Sequence, residues 1–469
     1  MFSIAEIAAA TAGGFQGDRS ARVSGVSTDS RTVAAGQLFV PLRGERFDGH
    51  DFIPQVAAKG VAAVLADQSF DGEIPPGLTV VRVVDTLVAL GDLAAAYRRR
   101  FDLPLVGITG SNGKTTTKEM LATILEQTGP GLKTAGNLNN LIGLPQMLFR
   151  LDASHGWAVL EMGMSEPGEI DRLAEVAAPQ TGIVLNACPA HLESMGSVEG
   201  VARAKGELLL RLPAGGCAII NADDPLIAGQ PSPPGVRRLT FGLGDADVRA
   251  TEITSLGIGG QSFLLHLGEI VLPVVLWSYG RHAVYNALAA AAAAHGLGIA
   301  AELIQSGLER FRPYDKRFQL EDVGGLVLID DSYNANPASM EAALTTLGEL
   351  KGGGRAFVAL GDMLEMGSNE AELHRALGVR AAAVADRLYL CGPLMAHAAV
   401  GALSAGMVEE QVMRIPDHDE IAASILRQAR PGDFVLVKGS RGMRMEKVAE
   451  AIRGRTFLGR RPPVADPTA

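Results

Sequence analysis

A chain of 469 residues, 47% hydrophobic and 20% charged, is long enough for about three domains and can bury a large core. Its formal net charge of −10 excludes a broad cationic surface for nucleic acid, so an anionic ligand has to meet a local basic site. Cys188, Cys217 and Cys391 lack metal-ligand spacing and read as reduced thiols; Met1–Glu6 has no basic leader pattern and runs such as 287–294 are too short to span a bilayer, so a cytoplasmic location is expected.

Residues 1–103 mix short helical and strand patterns. Ser3-Ile-Ala-Glu6 has the form of a capping box that opens a helix. Leu38 to Leu42 predicts a strand, and the turn before it carries Ser30 and Arg31. A hydroxyl and a guanidinium there suit a phosphate or a carbonyl-rich ring, although the same pair fits a solvated turn. Arg98-Arg99-Arg100 reads as the cationic end of a helix, where positive charge suits the dipole. Pro104 marks a boundary.

Residues 104–313 open on the strongest local signal, Thr109-Gly110-Ser111-Asn112-Gly113-Lys114-Thr115-Thr116. It follows the apolar run Leu105–Ile108 and precedes a helical pattern with Met120, Leu121, Ile124 and Leu125 on one face. Strand, glycine turn and helix make a phosphate-binding loop: the glycines let several N–H groups converge on one anion, and the helix N-terminus adds partial positive charge. Lys114 can reach the β- and γ-phosphates, and the Thr115 hydroxyl can hold Mg²⁺. Ile108 stands where the common pattern has its first glycine. Two further strands end in Glu161 and in Asn186 to His191. Ligands of parallel α/β sheets sit beyond the carboxyl ends of strands, which brings Glu161 and His191 toward the loop. Val201 to Leu209 predicts a helix on which Lys205, by itself, reads as a solvated lysine. Residues 239–277 alternate as antiparallel strands, and Gly280 to Asn286 opens an Ala-rich helix on which Asn286 fits either a cap or a base contact.

Residues 314–469 repeat a β-α alternation, with strands expected at Leu326 to Ile329, Ala356 to Leu360, Leu388 to Cys391 and Phe434 to Val437. The first ends in Asp330-Asp331, acids able to accept from ribose hydroxyls. Arg317 is placed to reach phosphates across a cleft between domains, and Lys438-Gly-Ser-Arg441 suits an anion. The fold class is therefore α/β in three domains: 1–103, 104–313 with a mostly parallel sheet, and 314–469 of Rossmann-like type.

Together these pieces closely resemble the Mur ligases of bacterial cell-wall synthesis, over nearly the whole chain. Gly110 to Thr116 is similar to that family's phosphate loop. Asp29-Ser-Arg31 with Leu38 to Gly44 resembles its uridine-nucleotide domain. Asp331 to Pro337 with Leu360 to Gly367 points, within the family, to the use of UDP-N-acetylmuramoyl-tripeptide and D-alanyl-D-alanine. The Asp-Asn-Pro-x-Arg motif typical of members adding the third residue (lysine or diaminopimelate) is absent.

The resemblance implies an ATP-dependent ligase that works through an acyl phosphate with two Mg²⁺ ions, acting on small molecules as a monomer, without nucleic acid or membrane insertion. Thr109 to Thr116 would cradle ATP, with Lys114 on the γ-phosphate. Thr115 and Glu161 would hold one Mg²⁺, His191 and a carbamylated Lys205 the other. Asn137 would lie near the γ-phosphate and the muramoyl substrate, Asn286 at adenine, Arg317 at the phosphates, Asp331 at the ribose, and Ser30 and Arg31 at the uridine diphosphate. The family's His-Asn pair is His282-Ala283 here. The rivals are a ligase adding a different amino acid, to a muramoyl peptide or a folate, and a phosphate-loop ATPase switch without ligation.

Overall fold

A computed structural model describes residues 1–44, 46–189, 192–313 and 316–459. It is a three-domain α/β protein in which each domain is built on its own sheet. The main sheet of the first domain has five short strands in the spatial order Gly14–Gln16, Thr79–Val83, Ala63–Asp67, Leu38–Phe39 and Val26–Ser27. Only the first of these pairings is antiparallel. The capping box forms: the Glu6 N–H donates to Ser3 Oγ at 3.2 Å, and the Ser3 N–H to Glu6 Oε2 at 2.7 Å. The strand expected to Leu42 stops at Phe39. Pro41 has no N–H to give a ladder, which accounts for the early end.

The helix Thr86–Arg98 reaches the arginine run, but Arg98 turns inward rather than to solvent. Its guanidinium donates to the carbonyls of Phe101, Leu103 and Ala177. Those carbonyls lie in the linker after the helix and at the end of the helix Glu169–Ala177, where no ladder serves them, so a buried fork of donors satisfies them. The bond to Ala177 also fastens the first domain to the second. Arg172 to Asp92 at 2.6 Å and Gln146 to Thr28 at 2.9 Å cross the same seam.

Among the described residues the central sheet has nine strands. In space they run Leu132–Lys133, Ala158–Glu161, Leu105–Thr109, Thr181–Val184, Cys217–Asn221, Arg237–Gly242, Val248–Ser255, Gln261–Leu267 and Ile270–Leu276. The core strands are parallel and buried on both faces, as continuous apolar runs require. The region expected to be wholly antiparallel begins with a parallel pair, Arg237–Gly242 beside Val248–Ser255, and turns antiparallel only from there. The helix Arg281–Gly296 packs its buried Ala287–Ala294 stretch in one cluster with Met120, Leu121 and Ile124 of the helix Lys114–Leu125. Alanine favours the helix and is small enough to let the two axes approach closely.

The last domain has strands in the order Gln319–Val323, Leu326–Asp331, Phe434–Lys438, Ala356–Gly361, Arg387–Cys391 and Val412–Arg414. All but the first pairing are parallel. The helix Pro337–Leu350 follows the first parallel strand, with Asn336 as N-cap and proline in its opening turn. Its start faces the phosphate loop of the central domain.

Candidate active site

The strand Leu105–Thr109 is wholly buried and delivers the chain into a tight loop before the helix Lys114–Leu125. Gly113 has φ +88°, and a Cβ there would stand 2.2 Å from Asn286 Oδ1, so only glycine fits. Asn286 is buried against the loop and receives the Thr117 hydroxyl at 3.4 Å; it is no cap, since Gly280 precedes the helix. Lys114 curls back over the loop, its Nζ donating to Gly110 O at 2.6 Å. The far side is fixed by the segment after Thr181–Val184. Asn186 accepts from the Asn112 N–H at 2.9 Å through its side chain and from the Ser111 N–H at 3.1 Å through its carbonyl. The Cys188 N–H donates to Ser111 Oγ at 3.0 Å. Asn186 has a role that sequence reasoning missed; its place at a parallel-strand end was the available signal.

Glu161 closes one side of the site. Its Oε2 accepts from the Thr115 hydroxyl at 3.1 Å, and its backbone N–H donates to Thr134 Oγ1 at 2.8 Å. The side chain is 2% exposed, and Oε1 receives no aligned hydrogen bond. A buried carboxylate with open lone pairs beside a hydroxyl is a set of hard oxygen donors, which fits Mg²⁺. Sequence reasoning also missed Lys118, one turn along the same helix, whose Nζ lies 3.2 Å from Glu161 Oε1. Lys205, on the helix Val198–Leu210, is buried rather than solvated. Among the described residues it has neither hydrogen bond nor ion pair. Burial and the nearby Lys114 charge push its pKa well below the usual lysine range. His191 lies outside the described residues.

A cavity of about 550 Å³ runs between this loop and the last domain, within the size range of small-molecule sites. Ser111 to Thr116, Glu161, Asn286, Arg317 and Asp331 all line it. The Thr109 side chain is buried beneath, at the strand end. Arg317 lies over the Tyr333 ring, 4.0 Å from its centroid. Asp331 accepts from Lys438 Nζ at 2.7 Å and from the Phe318 N–H at 3.1 Å. Lys438 is therefore a buried ion-pair partner of Asp331 that also lines the cavity. Ala283 lines the wall beside His282, with no amide at that point. Burial lowers the pKa of Lys114; the Glu161 charge raises it in part and the Arg317 charge lowers it again. Lys114 and Arg317 face one cavity, and Lys205 is buried within reach of the Lys114 charge, so a polyphosphate in the cavity would relieve the repulsion between Lys114 and Arg317.

Asn137, Ser30 and Arg31 stand apart from this cavity. Asn137 is exposed on its loop, while Asn139 reaches the wall. Ser30 and Arg31 sit in the first domain. There Arg31 extends into solvent and its guanidinium is held by Asp29 at 2.7 Å. That hydrogen bond keeps the Asp29 carboxyl down at about 2. Lys59 Nζ anchors the turn by donating to the carbonyls of Ser30 and Arg31.

Comparison with known proteins gives a consistent picture. The sequence signature of the Mur ligase middle domain matches residues 108–294. Those of the Mur ligase glutamate ligase domain and of the Mur ligase catalytic domain match residues 316–441 and 22–98. The chain is 38% identical over 432 residues to the UDP-N-acetylmuramoyl-tripeptide–D-alanyl-D-alanine ligase of Bacillus subtilis, covering 91% of this chain and 93% of that one. It is 38% identical over 441 residues to the enzyme of the same name from Escherichia coli, with the same two coverages. Among solved structures, MurF from Acinetobacter baumannii superposes with a TM-score of 0.88 at 33% identity, over 97% of this chain and 99% of that one. MurF from Thermotoga maritima in complex with ADP gives 0.83 at 28% identity, over 93% and 98%.

Proposed function

The chain belongs to the Mur ligase family, and we propose that it is the member that joins D-alanyl-D-alanine to UDP-N-acetylmuramoyl-tripeptide at the expense of ATP, yielding the UDP-linked pentapeptide used in peptidoglycan synthesis. The observation that carries the reading is the cleft in which Lys114, Thr115 and Glu161 of one domain face Arg317 and Asp331 of another. The domains divide near residues 103 and 313.

A carboxylate is a poor electrophile, and it repels the γ-phosphate it must attack. Transfer of the γ-phosphoryl group to the substrate carboxylate gives an acyl phosphate and ADP. The amine of D-alanyl-D-alanine then attacks the acyl carbon, loses a proton, and expels inorganic phosphate to leave the new amide. Such transfers depend on positioning and charge stabilisation. In this reading Lys114 meets the γ-phosphate, and the loop N–H groups from Gly110 to Thr116 cradle the chain of phosphates. Arg317 neutralises them from the opposite wall, Asp331 accepts from the ribose and Asn286 contacts the base. Asn137, on its exposed loop, serves the muramoyl substrate, while Ser30 and Arg31 hold its uridine diphosphate in the first domain.

Mg²⁺, when bound, supplies positive charge between the two anions. Thr115 and Glu161 would hold one ion; Lys205, once carbamylated, and His191 would hold a second. Lys205 suits this change because a buried, unpaired amine is held toward its neutral, nucleophilic form. We place the enzyme in the cytoplasm, a reading supported by its use of ATP and a nucleotide-linked precursor, and take it to act as a monomer. Among the described residues no helix is long and apolar enough to cross a membrane.

The test is phosphate release from ATP with UDP-N-acetylmuramoyl-tripeptide, with and without D-alanyl-D-alanine. Release that needs both, with a UDP-muramoyl-pentapeptide product, is expected. Release with a single amino acid on a dipeptide precursor would move the enzyme one step earlier, and hydrolysis indifferent to both would reduce it to a phosphate-loop ATPase.

A further inference from the structure

Behind Glu161 runs a line of alternating charges that reaches the surface. Glu126 Oε1 lies 3.0 Å from Lys133 Nζ, and Lys133 lies 2.8 Å from Glu119 Oε2. Glu119 Oε1 lies 3.0 Å from Lys118 Nζ, which lies 3.2 Å from Glu161 Oε1. The side chains of Lys118 and Glu161 are each 2% exposed. Thr134 ties the inner pair together: its carbonyl accepts from Lys118 Nζ at 2.7 Å, and its hydroxyl accepts from the Glu161 N–H. Lys118 follows Thr115 by three positions on one helix, so both project toward the same strand end.

Taking two charges out of water is costly, and an apolar pair of equal volume would stabilise a core at least as well. An apolar pair cannot aim a carboxylate. We propose that Lys118 is a positioning residue for Glu161: anchored by Thr134 and Glu119, its ammonium sits behind the carboxylate and keeps it turned to the Thr115 hydroxyl in the orientation Mg²⁺ requires. The proposal rests on Thr115 and Glu161 being the Mg²⁺ ligands. Mg²⁺ tolerates little departure from octahedral geometry, so a ligand free to rotate costs affinity. Glu119 offsets the charge of Lys118 and Glu126 that of Lys133, so that the effect of Lys118 on Glu161 is chiefly directional.

The experiment measures ADP binding by calorimetry across a Mg²⁺ titration, in the wild type, in Lys118→Met and in Lys118→Met/Glu119→Gln, which keeps the wild-type net charge. The Mg²⁺ concentration that half-saturates the gain in ADP affinity should rise about 10- to 100-fold in both variants. ADP affinity in the presence of a chelator should stay within about twofold. A folded variant with a lower melting temperature and an unmoved Mg²⁺ requirement would assign Lys118 a structural role and overturn the proposal. So would failure of both variants to fold. Wild-type ADP binding indifferent to Mg²⁺ would overturn the metal-site reading as well, whereas a wild-type Mg²⁺ dependence that both variants share unchanged overturns the role of Lys118 alone.

Discussion

Asn336 Nδ2, at the head of the helix Pro337–Leu350, donates to Asn112 Oδ1 on the phosphate loop at 2.8 Å, joining two domains across the cleft. The same Asn336 caps its helix, its Oδ1 accepting from the Ser339 N–H at 2.9 Å. The two duties can be separated. Asn336→Ser keeps a cap but is too short to reach Asn112; Asn336→Ala loses both. Alanine should cost about 1 kcal/mol of stability and serine close to none. Both should raise the KM for ATP several-fold, because the closed arrangement loses its bridge. Denaturant melts and steady-state kinetics check this. An unchanged KM in both would show that the amide contact does not aid closure.

Lys114→Ala should abolish ADP formation, lowering kcat by at least about 10²- to 10³-fold, the effect of removing one preorganised charge from a transition state. The melting temperature should not fall. Burial and the Arg317 charge disfavour the ammonium while Glu161 and the Gly110 carbonyl favour it, so its loss leaves the unliganded fold little changed. Wild-type turnover in this variant would sink the assignment of the loop.

The elements that made the site legible are those whose chemistry is local. A glycine turn between a buried strand and a helix needs no partner to be recognised, and Glu161 could be placed because every parallel strand delivers its carboxyl end to the same edge. What was not legible depends on partners far away in the chain. Arg98 looked like a surface charge until the carbonyl of Ala177 came to meet it. Lys205 sat in a pattern that any solvated helix would show, and only tertiary packing buries it. The ion pair of Lys438 with Asp331 is invisible in the sequence because Asp331 lies on a neighbouring parallel strand that pairing alone brings alongside.

Asp29 should act through Arg31 on the uridine end of the substrate. The pair holds an exposed guanidinium in one orientation, and the Arg31 hydrogen bond holds the Asp29 carboxyl at about 2. A depressed carboxyl stays charged, and the pair intact, as pH falls until that value is approached. By NMR titration, Arg31→Met should return Asp29 toward the ordinary value of about 3.9. Asp29→Asn should raise the KM for the UDP-linked substrate several-fold with kcat retained, since only uniform binding is lost. A fall in kcat at constant KM would place the pair in the chemistry instead.

Lys205→Ala should be inactive and should recover part of its activity in acetate or formate. Truncation opens a buried space beside Lys114 where a small carboxylate can stand in for the carbamate. The logic depends on the amine itself. CO₂ reacts with a neutral amine and not with an ammonium, and burial beside a second cation favours the neutral form. Carbamylation then replaces a neutral amine with a negative group near Lys114, adding an attraction that the unmodified side chain lacks. With ¹³C-bicarbonate the wild type should show a carbamate resonance that Lys205→Met lacks. Loss of activity without rescue, together with no such resonance, would reject the modification and leave Lys205 as a buried cation whose charge serves the phosphates directly.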